Sequence, residues 1–121
     1  MSEHIITDAG TISRGERLVV QVEGREIGIF NIKGELHAYT NWCPHQSGPI
    51  CEGNLTGTWE GSFDQDSEET QLEWRYEDEI LNCPWHGWEY DVNDGSCLSR
   101  DKVELLSHKV EVREGDIVLF L

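Results

Sequence analysis

The sequence predicts an all-β protein built from small antiparallel sheets. Short segments rich in branched residues recur along the chain, Gly-containing turns separate them, and no segment shows a sustained 3.6-residue apolar period. With 121 residues, 37% hydrophobic and 27% charged, the composition is that of a globular protein with one modest core. We therefore expect a single domain over residues 1–121 with little or no helix.

The first predicted strands form a meander. Arg17–Val22 and Arg25–Ile32 are rich in branched residues, and Glu23–Gly24 joins them. A second Gly-containing pair, Lys33–Gly34, leads into Glu35–Tyr39. Three short segments joined by two-residue turns are typical of adjacent antiparallel strands.

The last predicted strands form a hairpin. Ser107–Arg113 alternates apolar and polar residues with period two, Glu114–Gly115 follows as a tight turn, and Asp116–Leu121 is the final strand. Alternation over this length is typical of a strand with one buried face.

An acidic segment lies in the middle of the chain. Residues 60–79 contain nine acidic side chains and one Arg, a net charge of −8 out of −15 for the whole chain. Its flanks, Thr56–Trp59 and Gln71–Tyr76, could pair as a hairpin around Gly61–Glu69, which has turn composition. We interpret residues 56–79 as a hairpin or loop insertion. It is either a docking surface for a basic partner or, in the slightly favoured interpretation, a solvated, disordered loop.

The charge and the distribution of apolar residues exclude some classes of partner. A net charge of −15 disfavours binding to nucleic acid, because polyanions would be repelled. No apolar run approaches 18 residues, and the N-terminus lacks a secretory signal, so we expect a cytoplasmic protein without a membrane span. The excess of acidic residues also fits a salt-adapted host, which one sequence does not separate from adaptation to a partner.

Two loops carry the chemistry. The first loop, Asn41–Cys51, contains Cys43-Pro-His45, and the second loop, Asn82–Trp88, contains Cys83-Pro-Trp-His86. Two such thiolate and imidazole pairs, each beside Pro and Gly in a β-rich chain, predict a metal site. The alternatives are incidental buried thiols with surface imidazoles, a Cys2His2 structural zinc site, or a nucleophilic Cys–His enzyme, which would leave one pair unexplained.

At these residues the sequence resembles the Rieske proteins. Their pattern is Cys-x-His, a spacer, then Cys-x-x-His-Gly, and the run Cys83–Asp91 followed by Asp94–Gly95 matches it closely. The resemblance covers nearly the whole chain, although the spacer is longer than in the compact ferredoxins of the family. It implies one [2Fe–2S] cluster with one iron bound by two cysteines and the other by two histidines. The implied ligands are Cys43, Cys83, His45 and His86.

The branch of the family follows from four positions near the ligands. The high-potential branch carries two further cysteines that form a disulfide, and here Gly48 and Trp85 stand in their places. That branch also has, at the position of Trp88, a Ser whose hydroxyl bonds a bridging sulfur. The family's Tyr, whose hydroxyl can bond a cysteine sulfur, is kept as Tyr90, so the resemblance implies one of these two potential-raising hydrogen bonds. The resemblance therefore implies a low-potential, ferredoxin-like cluster in a soluble protein. Cys51 and Cys97 are expected to be small buried residues rather than ligands or a disulfide.

Electron transfer without substrate chemistry is the predicted function. The soluble branch includes ferredoxins of aromatic-ring dioxygenases, small subunits of nitrite reductases and N-terminal domains of terminal oxygenases. A complete oxygenase would need a mononuclear iron, and the scattered His4, His37 and His108 do not form its ligand pattern. We expect a one-electron carrier between a reductase and an oxygenase-type partner. The alternatives are a non-catalytic Rieske subunit of a larger reductase such as nitrite reductase, or a redox-sensing interaction protein.

Three tryptophans border the loops. Trp42, Trp85 and Trp88 could form a partly apolar rim that limits water and contacts a partner, or they could pack in the core. We expect core packing for at least one of them and regard Trp85 as the best rim residue, because ligation would fix both of its neighbours.

Overall fold

The computed structural model describes residues 2–44, 48–64, 69–85, 87–100 and 102–121, with the backbone alone for 58–64 and 69–77. Within these ranges the chain forms ten β-strands and two one-turn 3₁₀ helices, at Ala9–Thr11 and Ile50–Glu52. None of the described helices is long and apolar enough to cross a bilayer. The strands are β1 Glu3–Asp8, β2 Arg17–Val22, β3 Arg25–Ile32, β4 Glu35–Thr40, β5 Leu55–Asp64, β6 Glu69–Asn82, β7 Glu89–Asp91, β8 Ser107–His108, β9 Val110–Arg113 and β10 Asp116–Phe120.

The strands form three antiparallel sheets, with the orders β1-β10-β9, β2-β3-β4-β8 and β5-β6-β7. This confirms the predicted all-β fold of small antiparallel sheets. The predicted meander is present as β2, β3 and β4. The sequence pattern did not predict β1 and β7, which are edge strands of the first and third of these sheets.

Two-residue turns set the register of the hairpins. Glu23, Lys33 and Glu114 have φ values of 51°, 52° and 53°, and each precedes a glycine that also has positive φ. Positive φ at both central residues is the geometry that joins twisted antiparallel strands without splaying them. The Gly positions in the sequence therefore predicted these turns correctly.

One predicted strand is divided in two. Ser107–Arg113 alternates without interruption in the sequence, yet β8 pairs with β4 while β9 pairs with β10. The chain passes from one sheet to another at Lys109, whose carbonyl accepts a hydrogen bond from Phe120 N–H. The sequence pattern runs through Lys109 without a break, and so it does not mark the crossing.

The central sheet, β2-β3-β4-β8, has a core on each face. Along β3 the side chains alternate, so that Ile27 and Ile29 face one core while Phe30 and Ile32 face the other. The terminal core lies against β10 and consists of Ile12, Ile27, Ile29, Ala38, Ile117 and Leu119. The cysteine core lies against the two loops and consists of Phe30, Ile32, Tyr39, Cys43, Ile50, Cys51, Leu81, Cys83, Tyr90, Val92, Cys97 and Leu105. Each large apolar side chain buried in them contributes about 1.5–3 kcal/mol.

The acidic segment forms a long hairpin. Strands β5 and β6 pair with Trp59 opposite Trp74, which confirms the predicted pairing of the flanks. The pairing extends to Asp64 opposite Glu69, so part of the stretch interpreted as a turn is strand. Continuous cross-strand hydrogen bonding outweighs its turn composition there. Residues 65–68 lie outside the described residues.

Candidate metal centre

The first loop is closed at its base by backbone and side-chain hydrogen bonds. Asn41 N–H donates to the Glu26 carbonyl at 2.8 Å, and Cys51 N–H donates to Asn41 Oδ1 at 2.8 Å. Inside the loop, Cys43 N–H donates to the Gly48 carbonyl at 2.8 Å. The last of these bonds fixes Cys43 relative to the glycine on the far side of the loop.

The second loop is shorter and is closed by its own backbone. Cys83 N–H donates to the Trp88 carbonyl at 2.9 Å, and Gly87 N–H donates to the Cys83 carbonyl at 2.8 Å. Gly87 has a φ of 71°, in the left-handed region that favours glycine. The chain reverses here within a few residues, and Cys83 lies at the start of the β6–β7 connection.

The two loops meet at Gly48. A Cβ placed on this residue would lie 3.1 Å from Cys83 Sγ and 3.1 Å from the Trp85 ring. Cys43 and Cys83 are both buried and belong to the cysteine core. The structure therefore brings the two predicted cysteine ligands to the same place, one on each loop.

Tyr90 adds a hydroxyl to this pair. Its Oη lies 3.2 Å from Cys43 Sγ, and the residue is fully buried. Burial, together with the contact with Cys43, raises the pKa of the Tyr90 hydroxyl well above its usual range. The hydroxyl therefore keeps its proton and is the donor whenever Cys43 is a thiolate. This is the tyrosine–sulfur hydrogen bond that the family resemblance implied.

The other two predicted ligands, His45 and His86, lie outside the described residues, and the four-residue ligand set stays a prediction. Among the residues that are described, no group of three or more His, Cys, Asp or Glu side chains has a metal-binding arrangement. What the described half of the site provides is two buried sulfurs, a glycine cradle that a Cβ would fill, and a hydroxyl donor to sulfur. Those features fit a thiolate-bound iron–sulfur cluster.

The remaining two cysteines are outside the predicted ligand set. Cys51 Sγ donates to the Tyr39 carbonyl at 3.4 Å, and burial raises the pKa of its thiol to about 12. Cys97 is buried and lies 3.7 Å from the Ser99 hydroxyl. No disulfide joins any of the chain's four cysteines, all of which are among the described residues. Cys51 and Cys97 are thus small buried residues, as the sequence predicted.

The tryptophans divide between rim and core. Trp85 is 56% exposed and Trp42 is 39% exposed, whereas Trp88 is half-buried against the cysteine core. The Arg100 guanidinium lies 4.8 Å from the centre of the Trp88 ring, a cation–π contact that sequence reasoning missed. Twelve positions separate the two residues, and no local pattern connects them.

Comparison with known sequences identifies relatives over most of the chain. The model of the Rieske [2Fe–2S] domain matches residues 2–109. The ferredoxin component of the alkene monooxygenase system of Xanthobacter autotrophicus is 30% identical over 105 residues, covering 87% of this chain and 70% of that protein. The ferredoxin component of a naphthalene 1,2-dioxygenase system from Pseudomonas putida is 29% identical, covering 72% of this chain and 64% of that protein. The chain thus spans about two thirds of the length of these relatives.

Solved structures share the fold at low sequence identity. The ferredoxin of carbazole 1,9a-dioxygenase from Nocardioides aromaticivorans superposes with a TM-score of 0.68 at 18% identity, covering 98% of this chain and 97% of that one. A putative nitrite reductase small subunit gives a TM-score of 0.67 at 14% identity, covering both chains completely. Together with the paired cysteines, the glycine cradle and the tyrosine hydroxyl, the family match shows that this chain belongs to the Rieske [2Fe–2S] domain family.

Proposed function

We propose that this protein is a one-electron carrier that accepts an electron from a reductase and passes it to an oxygenase-type partner. Its cofactor is one [2Fe–2S] cluster, held by Cys43, His45, Cys83 and His86. The observation that carries this proposal is the convergence of Cys43 and Cys83, buried and on separate loops, at Gly48 in a chain of the Rieske family.

The residues around the site suit a cofactor whose charge changes by one when it gains or loses an electron. The cluster, when bound, supplies a reversible one-electron acceptor. Cys43 and Cys83 would bind the cluster as thiolates, and the Tyr90 hydroxyl would donate a hydrogen bond to Cys43 Sγ, which stabilises negative charge on that sulfur. The cysteine core excludes water around both sulfurs.

Two positions beside the cysteines support a low reduction potential. Each donor to a cluster sulfur favours the reduced, more negative state and raises the potential. Tyr90 supplies one such bond, whereas Trp88 stands where the high-potential branch carries a Ser hydroxyl. We therefore assign this protein to the low-potential, ferredoxin-like carriers. We also propose a cytoplasmic location, which the four cysteines without a disulfide favour, since thiols stay reduced there.

The partner assignment is supported by the relatives. Those compared above are ferredoxin components of monooxygenase and dioxygenase systems, a role that requires a donor and an acceptor protein. The net charge of −15 favours partners with a basic contact surface, since long-range attraction speeds transient encounters.

The test compares cluster content in two cysteine variants. The purified protein should be coloured, contain iron and sulfide, and give the EPR spectrum of a Rieske cluster after reduction. Cys83→Ser should lose that spectrum, whereas Cys97→Ser, at a buried cysteine outside the ligand set, should retain it. A colourless, zinc-containing wild-type protein would contradict the proposal.

Native mass separates the carrier from a permanent subunit. A free chain of 13.9 kDa that is reduced by a flavin-dependent reductase and reoxidised by an oxygenase supports the carrier. Stable co-purification with a larger reductase would instead support a non-catalytic subunit, and binding of a partner that depends on cluster state without turnover would support a redox sensor.

A further inference from the structure

Arg17 on β2 reaches across to the end of the first loop. Its Nη1 donates to the Cys51 carbonyl at 2.9 Å and also to the Gly53 carbonyl. The guanidinium carbon lies 5.6 Å from the centre of the Phe30 ring, so the side chain is held between the sheet and the loop. One nitrogen therefore bonds two carbonyls of the segment that leaves the first loop.

Arg17 hydrogen-bonds backbone carbonyls rather than a carboxylate. In the described parts of the chain, no carboxylate forms an ion pair with the half-buried Arg17. The carbonyls that it meets lie at the end of the 3₁₀ helix Ile50–Glu52, where backbone acceptors lack intrahelical partners. A guanidinium that has lost water without gaining a carboxylate is costly unless such hydrogen bonds compensate for it.

The segment that Arg17 hydrogen-bonds, Cys51–Gly53, packs against the start of the second loop. A Cβ on Gly53 would collide with the Asn82 carbonyl, so only glycine permits the two backbones to approach this closely. Asn82 N–H donates to the Asn54 carbonyl at 2.9 Å, and its side-chain amide donates to Thr56 Oγ1 at 2.8 Å. Because Asn82 is covalently joined to Cys83, a contact at Gly53 fixes the start of the second loop.

We propose that Arg17 is a positioning residue that sets the separation of the two cysteine loops. It fixes the exit of the first loop at Cys51 and Gly53, and through the Gly53–Asn82 contact it fixes the entry of the second loop at Cys83. The inference rests on the proposed cluster at Cys43 and Cys83, since its consequence is the geometry with which the two sulfurs bind one group.

Arginine suits this role better than lysine. Its planar guanidinium holds two N–H bonds of one nitrogen in fixed directions, whereas a lysine ammonium is a compact charge on a shorter, freely rotating stem. Arg17→Lys should therefore keep part of the positioning function that Arg17→Met loses. The matched control is Arg14→Met, which removes an exposed arginine three residues away.

Three measurements on the protein as purified test the proposal. In Arg17→Met, an iron chelator should bleach the cluster about tenfold faster than in the wild type, and the EPR signal should broaden. Arg17→Lys should give an intermediate rate, and Arg14→Met should match the wild type. Hydrogen exchange should quicken in Arg17→Met at residues 51–54 and at Asn82 together, because the contact joins the two segments.

The outcomes separate this inference from the proposed function. A folded Arg17→Met with wild-type bleaching, EPR and exchange would overturn it, as would faster bleaching with an unchanged EPR spectrum and no change of exchange at Asn82. If Arg17→Met does not fold, Arg17→Lys decides by the same readouts, and wild-type behaviour in it would overturn the inference. If the wild type carries no Rieske cluster, the proposed function fails, and exchange at residues 51–54 and Asn82 still tests the contact by itself.

Discussion

The two cysteine loops are held in different ways. The second loop is closed by its own backbone, through bonds between Cys83 and Trp88 and between Gly87 and Cys83. The first loop also has internal bonds, but its exit is held in addition by a residue distant in sequence, since Arg17 bonds carbonyls 34 and 36 positions away. A short loop can be fixed by local turn geometry, whereas a longer one needs external anchors to offset the entropy of its closure. Damage to the anchors should therefore affect the first loop most.

The strongest test of this difference is a pair of Gly→Ala variants. Gly53→Ala places a Cβ against the Asn82 carbonyl, and backbone on both sides leaves little room to adjust. It should lower the free energy of unfolding by about 3 kcal/mol or more and release the cluster. A Cβ on Gly87 meets no atom of the described residues within 4 Å, so Gly87→Ala should cost the strain of positive φ, roughly 1–2 kcal/mol. Urea unfolding and iron content measure both effects.

Equal losses in the two alanine variants would contradict the comparison. That result would mean that the backbone conformation of the second loop matters as much as the contact between the loops. Loss of iron in Gly87→Ala alone would reverse the comparison.

The same difference, between local features and contacts of residues distant in sequence, separates what the sequence predicts from what it does not. The nearness of Cys43 and Cys83 was predicted because each stands in a local Cys–His pair, and the meander because a glycine ends each of its turns. The contacts of Arg17, Gly53 and Asn82 were not predicted, since they join distant backbones and no residue pattern encodes a carbonyl acceptor. The crossing at Lys109 was missed because alternation continues through it.

The exposed surface of the two loops is tested by a pair of tryptophan variants. Trp85 on the second loop is 56% exposed and contacts Gly48 beside Cys83, whereas Trp42 on the first loop is 39% exposed. If Trp85 contacts the redox partner, Trp85→Ala should weaken that encounter by about 1.4 kcal/mol, roughly tenfold in Kd. Trp42→Ala should change it less. The dependence of the rate of partner reduction on partner concentration measures both effects. Equal effects of the two variants would contradict the assignment of Trp85 as a partner contact.

The electronic contribution of Tyr90 is tested against a second buried tyrosine. Tyr90→Phe removes the hydroxyl 3.2 Å from Cys43 Sγ, and should lower the reduction potential by on the order of 40 mV, as expected for one hydrogen bond of about 1 kcal/mol. Tyr39→Phe removes an equally buried hydroxyl, which donates to the Val92 carbonyl at 2.6 Å. That control should lose stability with an unchanged potential. Equal shifts of potential in both variants would show that general packing, and not the bond to sulfur, sets it.

The smallest expected effect concerns the stems of the two loops at low pH. Thr40, the last residue of β4 before the first loop, has its hydroxyl 2.6 Å from His108 Nε2, whereas the stem of the second loop uses the Asn82 amide, which does not titrate. Burial, and secondarily the charge of Arg25, lowers the pKa of His108 below its ordinary value near 6.5. The unfolded chain therefore binds a proton at higher pH than the folded one does. The contribution of neutral His108 to stability is therefore fully present above the ordinary pKa. It is lost as the pH falls through that value toward the pKa of the folded state.

His108→Gln keeps a polar side chain at this position and removes the titration. Its melting temperature should fall less than that of the wild type between pH 7.5 and roughly pH 5.5, while all other titrating groups remain the same in both proteins. Because His108 is only partly buried, solvent screening keeps the difference small. Hydrogen exchange shows where the acid-induced loss of stability occurs. In the wild type, protection of amides near Thr40 should decline as the pH falls, while protection at Asn82 stays constant. Parallel melting curves for the two proteins would show that this histidine does not make the stem of the first loop sensitive to acid.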